Sequence, residues 1–212
     1  MKKSKVMLFG TMALTAGLAL AACGSSQSSN ADKTYSYIFV NNPDTLDYIT
    51  STRDSTSSIT ANLIDGLLEN DQYGNLIPSM AESWTVSKDG LTYTYKIRQG
   101  AKWYTSEGEE YADVTAHDFV TGLKYAADKK AENLYLVQDS IKGLADYVEG
   151  KSSDFGTVGV KAVDDYTLQY TLNQPETYWN SKTTASILSP VNEAFLKSKG
   201  DDFGSVTPSS IL

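Results

Sequence analysis

Ala81-Glu82-Ser83-Trp84-Thr85-Val86-Ser87-Lys88-Asp89-Gly90-Leu91-Thr92-Tyr93-Thr94-Tyr95-Lys96-Ile97 holds two runs of strand-forming residues around one turn signal. Side chains alternate across an extended chain, so Tyr93, Tyr95 and Ile97 share one face while Thr92, Thr94 and Lys96 share the other. The first face is built to be buried. Between the runs, Lys88-Asp89-Gly90 supplies a reversal, because glycine tolerates the positive φ that tight hairpin turns need. The stretch therefore predicts a β-hairpin over Ser83–Val86 and Leu91–Ile97. A second hairpin is predicted downstream, with strands Val158 to Val163 and Thr167 to Leu172 around a turn at Asp164-Asp165.

Helical signals lie on either side. Ser57 to Leu68 carries Ile59, Leu63 and Leu67 at a spacing of four, with Ile64 and Leu68 beside them, and Ser57 or Ser58 as a cap. Asp71-Gln72-Tyr73-Gly74-Asn75 then makes a turn. Thr115 opens a helix, with Asp118 at the capping-box position and Phe119, Leu123 and Ala126 or Ala127 as its apolar stripe. A third helix is expected from Leu134 to about Val148. The alternation of Tyr35 to Val40 predicts a strand closed by Asn41-Asn42-Pro43-Asp44. Trp84 and Trp103 flank strand ends and read as core. After Gln174 the pattern weakens, with Pro175, Pro190 and Pro208 as breaks. Hairpins and helices in succession, without an internal repeat, predict an α+β fold.

The first residues have another character. Lys2, Lys3 and Lys5 precede an uncharged run from Val6 to Ala22, the layout of a signal peptide. The run ends in Leu20-Ala21-Ala22-Cys23-Gly24, which resembles the bacterial lipobox. Residues 1–22 are thus expected to be removed. Cys23, the only cysteine in the chain, is expected to carry a lipid, because a thiol can form a thioether to diacylglycerol. Two or more acyl chains hold a soluble domain at a bilayer, whereas one is marginal. Residues 23–33 read as this lipidated cysteine and a polar, serine-rich tether, and residues 34–212 as the folded part. With Cys23 modified, no thiol or disulfide is left to brace the fold. Removing three lysines with residues 1–22 shifts the net charge from −8 to about −11. That balance disfavours nucleic acid and anionic headgroups as partners.

The stretch from Ala81-Glu82-Ser83-Trp84 through Lys88-Asp89-Gly90-Leu91-Thr92-Tyr93-Thr94-Tyr95-Lys96-Ile97-Arg98-Gln99-Gly100-Ala101-Lys102-Trp103 also resembles a family signature. It is that of the oligopeptide- and dipeptide-binding proteins of ABC importers, extracellular solute-binding family 5. Asp44-Thr45-Leu46-Asp47, the run from Gly66-Leu67-Leu68 to Pro78, Thr115-Ala116-His117-Asp118-Phe119-Val120, and Gly159 to Leu168 resemble further family segments in the same order. The likeness is greatest to the lipid-anchored, streptococcal oligopeptide-binding type. The sequence departs from the family at Tyr48, at Gln99 and in the longer Trp103 to Gly108 loop.

The resemblance implies a periplasmic-binding-protein-like fold of the cluster with an extra subdomain. This chain would be its first lobe alone, ending before the second, with mixed sheets, β-hairpins and packed helices. It implies capture of oligopeptides outside the cell and delivery to an ABC permease and its ATPase subunits, with no cofactor, metal or catalytic residue. An alternative is a truncated surface lipoprotein that does not transport: a decoy, a peptide-signal receptor or the relic of a disrupted gene. Carried over by position, Thr52, Arg53 and Asp54 would contact the peptide, as would Tyr135. Read without the family, Arg53 and Asp54 are a solvated turn and Tyr135 is a core aromatic. An enzyme is the remaining rival class. With one histidine, His117, and no free thiol, a nucleophilic triad or a zinc site has little to build on.

Overall fold

A computed structural model describes Ile38 and residues 41–212. The expected signal peptide, Cys23, the tether and, apart from Ile38, the Tyr35 to Val40 strand lie outside the described residues. The first helix, α1, spans Asp54–Thr60, and a small hairpin of β1 (Leu68–Asn70) and β2 (Leu76–Pro78) follows. This corrects the helix expected over Ser57 to Leu68. Arg53, not Ser57 or Ser58, is the N-cap residue, and the buried residues of α1 are Thr56 and Thr60. Leu63 is 57% exposed. Pairing with the next segment ends the helix: Gly66 O accepts from Met80 N, and Leu67 O accepts from Ser79 N and Ala81 N. Leu67 and Leu68 are buried, but through this pairing and not along a helix stripe.

The quoted stretch forms the expected hairpin, β3 (Ala81–Val86) with β4 (Thr92–Ile97). Gly90 sits at φ +72° in its turn. Tyr93, Tyr95 and Ile97 are all buried, as their alternation requires. β5 (Lys102–Tyr104) pairs with β6 (Glu110–Asp113). Trp103 is core, whereas Trp84 is only half-buried.

Helix α2 runs from Ala116 to Asp128 behind the expected capping box: the Asp118 carboxylate accepts from Thr115 N at 2.8 Å. Phe119, Leu123, Ala126 and Ala127 are its buried stripe. The single helix expected over Leu134 to Val148 is instead two pieces, a 3-10 turn at Glu132–Leu136 and α3 at Leu144–Val148. Between them Ile141 bridges to Leu172, and Gly143 takes φ +71°, which no right-handed helix accommodates.

β7 (Val160–Asp164) and β8 (Thr167–Thr171) form the second expected hairpin. The two hairpins merge into one antiparallel sheet in the order β3-β4-β8-β7. Tyr93 faces Tyr170 and Tyr95 faces Leu168 across its central seam. After Gln174, where the sequence offered no period, short helices cover the core: α4 (Trp179–Lys182), a 3-10 turn at Ser186–Leu188, and α5 (Glu193–Lys199). Trp179 is fully buried against Tyr93 and Tyr170. Gly122 lets α2 approach the Ser189 carbonyl, where a Cβ atom would clash.

Candidate functional site

The loop from Asp44 to Thr56 is held by its own short polar side chains. Asp47 Oδ1 accepts from Ile49 N at 3.0 Å and Thr50 N at 3.1 Å, and Oδ2 accepts from Thr50 Oγ1 at 2.6 Å. Side chains of this kind replace backbone pairing where neither helix nor ladder is available. Ser51 Oγ donates to Thr56 Oγ1 at 3.1 Å and accepts from Arg53 N at 3.3 Å. The result is a firm loop that presents Thr52, Arg53 and Asp54 to solvent.

Thr52 Oγ1 donates to Glu132 Oε2 at 3.3 Å. That contact brings the loop against the 3-10 turn that carries Tyr135, so two segments far apart in sequence meet on one surface. Tyr135 is 74% exposed, which corrects its reading as a core aromatic. Arg53 pairs with Asp44 at 2.9 Å, but both side chains are more than half exposed and the pair contributes little to stability. Asp54 and Glu132 form no ion pair with a cationic side chain among the described residues.

Helix α1 connects this surface to a cavity of about 380 Å³. Asp54 begins the helix, while Ser57 and Thr60 further along it line the cavity with Asp65, Glu69, Thr184 and Ser186. Hydroxyls that donate and accept, beside carboxylates that only accept, suit a ligand with its own amide groups. Of these lining residues the sequence singled out only Ser57, and that as a helix cap. Ser57 and Thr60 lie three apart on one helix face, but the neighbouring Ile59 and Leu63 masked that signal.

Two tyrosines tie the loop to the rest of the fold, Tyr48 from the loop itself and Tyr125 from α2. Burial, and then the Asp47 charge, pushes both the Tyr48 and the Tyr125 hydroxyl well above the ordinary phenol range. Both therefore act as hydrogen-bond donors, to Pro190 O and Asp47 Oδ2 respectively, at 2.8 Å each. His117 is exposed and faces Asp165 at 3.4 Å, at the start of α2. Among the described residues no group of three or more His, Cys, Asp or Glu could hold a metal ion. No helix among them is long and apolar enough to cross a membrane.

Residues 75–210 match the bacterial extracellular solute-binding proteins, family 5 (middle region). The chain is 67% identical over 210 residues to the oligopeptide-binding protein AliB of Streptococcus pneumoniae, covering 99% of this chain and 32% of that protein. To the oligopeptide-binding protein SarA of Streptococcus gordonii it is 64% identical over 220 residues, covering 100% of this chain and 33% of that protein. Among solved structures, Listeria monocytogenes OppA bound to peptide superimposes with a TM-score of 0.69 at 34% identity, over 76% of this chain and 31% of that one. The chain thus spans about a third of the length of these relatives. The α+β arrangement expected from the sequence is that of OppA-type binding proteins. These relatives bind substrates. The antiparallel sheet, the capped α2 and the matched residues 75–210 place the chain in the bacterial extracellular solute-binding proteins of family 5.

Proposed function

We propose that the chain serves an ABC importer as an oligopeptide-binding lipoprotein, receiving peptides on the Thr52-Arg53-Asp54 and Tyr135 surface. The observation that carries this reading is the 67% identity to an oligopeptide-binding protein along nearly the whole chain. An extended peptide would add to the protein by main-chain hydrogen bonds, in the manner of strand addition. The hydroxyl-rich cavity beside α1 would take side chains together with bridging water, so that no single side chain is demanded. Residues 34–212 would form the first lobe of the binding protein. Closure of the lobes would then report occupancy to the permease and its ATPase subunits.

Peptide capture can be tested by photo-crosslinking with a hexapeptide library that carries a photoreactive residue, mapped by mass spectrometry. Labelling is expected to concentrate at Thr52 to Asp54 and around Tyr135, and Arg53→Ala together with Tyr135→Ala should reduce it several-fold. Labels spread evenly over the surface would overturn the assignment.

The anchor belongs to the same proposal. Residues 1–22 would be removed and Cys23 lipidated, placing the domain on the extracytoplasmic face of the cell membrane behind the residue 23–33 tether. Leu20-Ala21-Ala22-Cys23 supports this. In a bacterial host fed labelled palmitate, the wild type should take up label and sediment with membranes. Cys23→Ala should do neither, and retained label in that variant would refute the anchor.

A further inference from the structure

We propose that Asp47 is a positioning residue. It sets the Thr52–Asp54 loop through a hydrogen bond to Tyr125 of α2, so that ligand contact depends on a side chain that itself touches no ligand. The inference rests on the peptide-binding reading above and deepens it.

Asp47 is only 7% exposed, and its carboxylate is shared among four donors. Three belong to its own turn: Ile49 N, Thr50 N and Thr50 Oγ1. The fourth is Tyr125 Oη at 2.8 Å, contributed from α2, 78 residues away. Among the described residues that donor is the one hydrogen bond from the carboxylate to the body of the fold. It is held in turn by Phe203, whose ring meets Tyr125 edge-on at 5.3 Å. A hydrogen bond to an ionised acceptor is stronger than a neutral one, and more so away from water.

The strand of bonds then leads outward. Ser51 N donates to Asp47 O at 3.0 Å. The Ser51 hydroxyl holds both Arg53 N and Thr56, and Thr56 Oγ1 returns to Thr45 O at 2.8 Å. Arg53 is therefore two hydrogen bonds from Asp47. On the other side Gly204 O receives Leu46 N at 2.6 Å and Thr45 Oγ1 at 2.8 Å. Gly204 has φ +72°, and a Cβ there would lie 2.5 Å from Asp47 N and Cα. The turn is thus pressed between α2 and the Gly204 carbonyl, with no slack to relocate without breaking these contacts.

Hydrogen–deuterium exchange and the hexapeptide crosslinking assay test this together, on Tyr125→Phe and Asp47→Asn. Tyr125→Phe keeps the ring and removes only the donor. Amides of Ile49, Thr50 and Arg53 should exchange about tenfold faster relative to those of Tyr95 and Leu168, the order expected for one charged hydrogen bond. Crosslinking at Thr52 to Asp54 should fall alongside. Asp47→Asn keeps an oxygen for the two amides and offers its NH₂ to hydroxyls that can turn to accept. It keeps the link but gives up the charge, so it should loosen the loop and lower crosslinking less than Tyr125→Phe does. A larger effect than that of Tyr125→Phe would count against the Tyr125 link as the one that sets the loop. Unchanged loop exchange in Tyr125→Phe, or a rise shared equally by Tyr95 and Leu168, would overturn the proposal. So would a loosened loop with undiminished crosslinking. Absence of crosslinking at this loop in the wild type would instead count against the peptide-binding reading, while the exchange result would still stand.

Discussion

Trp179→Ala should destabilise the fold by about 3–5 kcal/mol, the cost typical of emptying a large aromatic site in a core. Trp179 is 0% exposed, and its ring lies 6.2 Å from that of Tyr93 and 5.3 Å from that of Tyr170. These rings come from β4 and β8, so the cavity would open under the centre of the sheet. The surroundings cannot easily collapse into it, because both partners are fixed by strand pairing. For a domain of this size the loss corresponds to a drop of about 6–20 °C in melting temperature. Urea unfolding of the purified domain would measure it through the midpoint at an unchanged slope. A loss below about 1 kcal/mol would show that the core repacks. Trp179→Phe, which keeps a ring in the site, should cost less than half as much.

Asp118→Ala is the second large effect, expected at about 2–4 kcal/mol. A single carboxylate oxygen, Oδ2, accepts from Thr115 N at 2.8 Å and from Trp103 Nε1 at 3.1 Å. Alanine would remove the cap and leave the buried indole N–H without its acceptor. Asp118→Asn retains one oxygen that can serve both donors and should cost about 1 kcal/mol or less. The two variants differ in pH response as well. Burial raises the Asp118 carboxyl above its ordinary value of 3.8 in the folded state. The folded protein then holds this proton more tightly than the unfolded chain does. The stability gained is full below that ordinary value and is lost as pH rises through the raised one. The advantage of wild type over Asp118→Asn should therefore be greatest in acid and level off at neutral pH. A difference that grew with pH would contradict the burial argument.

The parts of this fold legible in the sequence are those where one local rule acts alone. β3 and β4 alternate with period two around Gly90, and the capping box at Thr115 and Asp118 is followed by a clean apolar stripe. Two rules competed between Ser57 and Leu68. The apolar spacing favoured a long helix, but Leu67 and Leu68 gain more from pairing beside β2, and Leu63 is left in solvent. From Leu134 to Val148 the bridge between Ile141 and Leu172 cuts the helix, a long-range contact that no local window contains. After Gln174 the helices are four to seven residues long, too short to show a period, and tertiary contact stabilises them.

The candidate site was legible only by likeness. Thr52, Arg53 and Asp54 have no local mark beyond polarity, and their setting depends on Tyr125 and Gly204, far along the chain. Tyr135 lies exposed on the 3-10 turn that replaces the start of the expected helix, a break no local pattern announces. The hydroxyls of the cavity, Ser57, Thr60, Thr184 and Ser186, come from segments that meet only after folding.

The order β3-β4-β8-β7 also sets a timetable for folding. Each hairpin closes across a few residues and can form early, as local contacts do. The seam between β4 and β8 joins positions such as Thr94 and Gln169, 75 apart, and must wait until the intervening chain, α2 included, has been gathered in. Until then the buried face of each hairpin, with Tyr95 on one and Tyr170 on the other, is open to water and to other chains. The slow step of assembly is thus also the moment of greatest risk of aggregation.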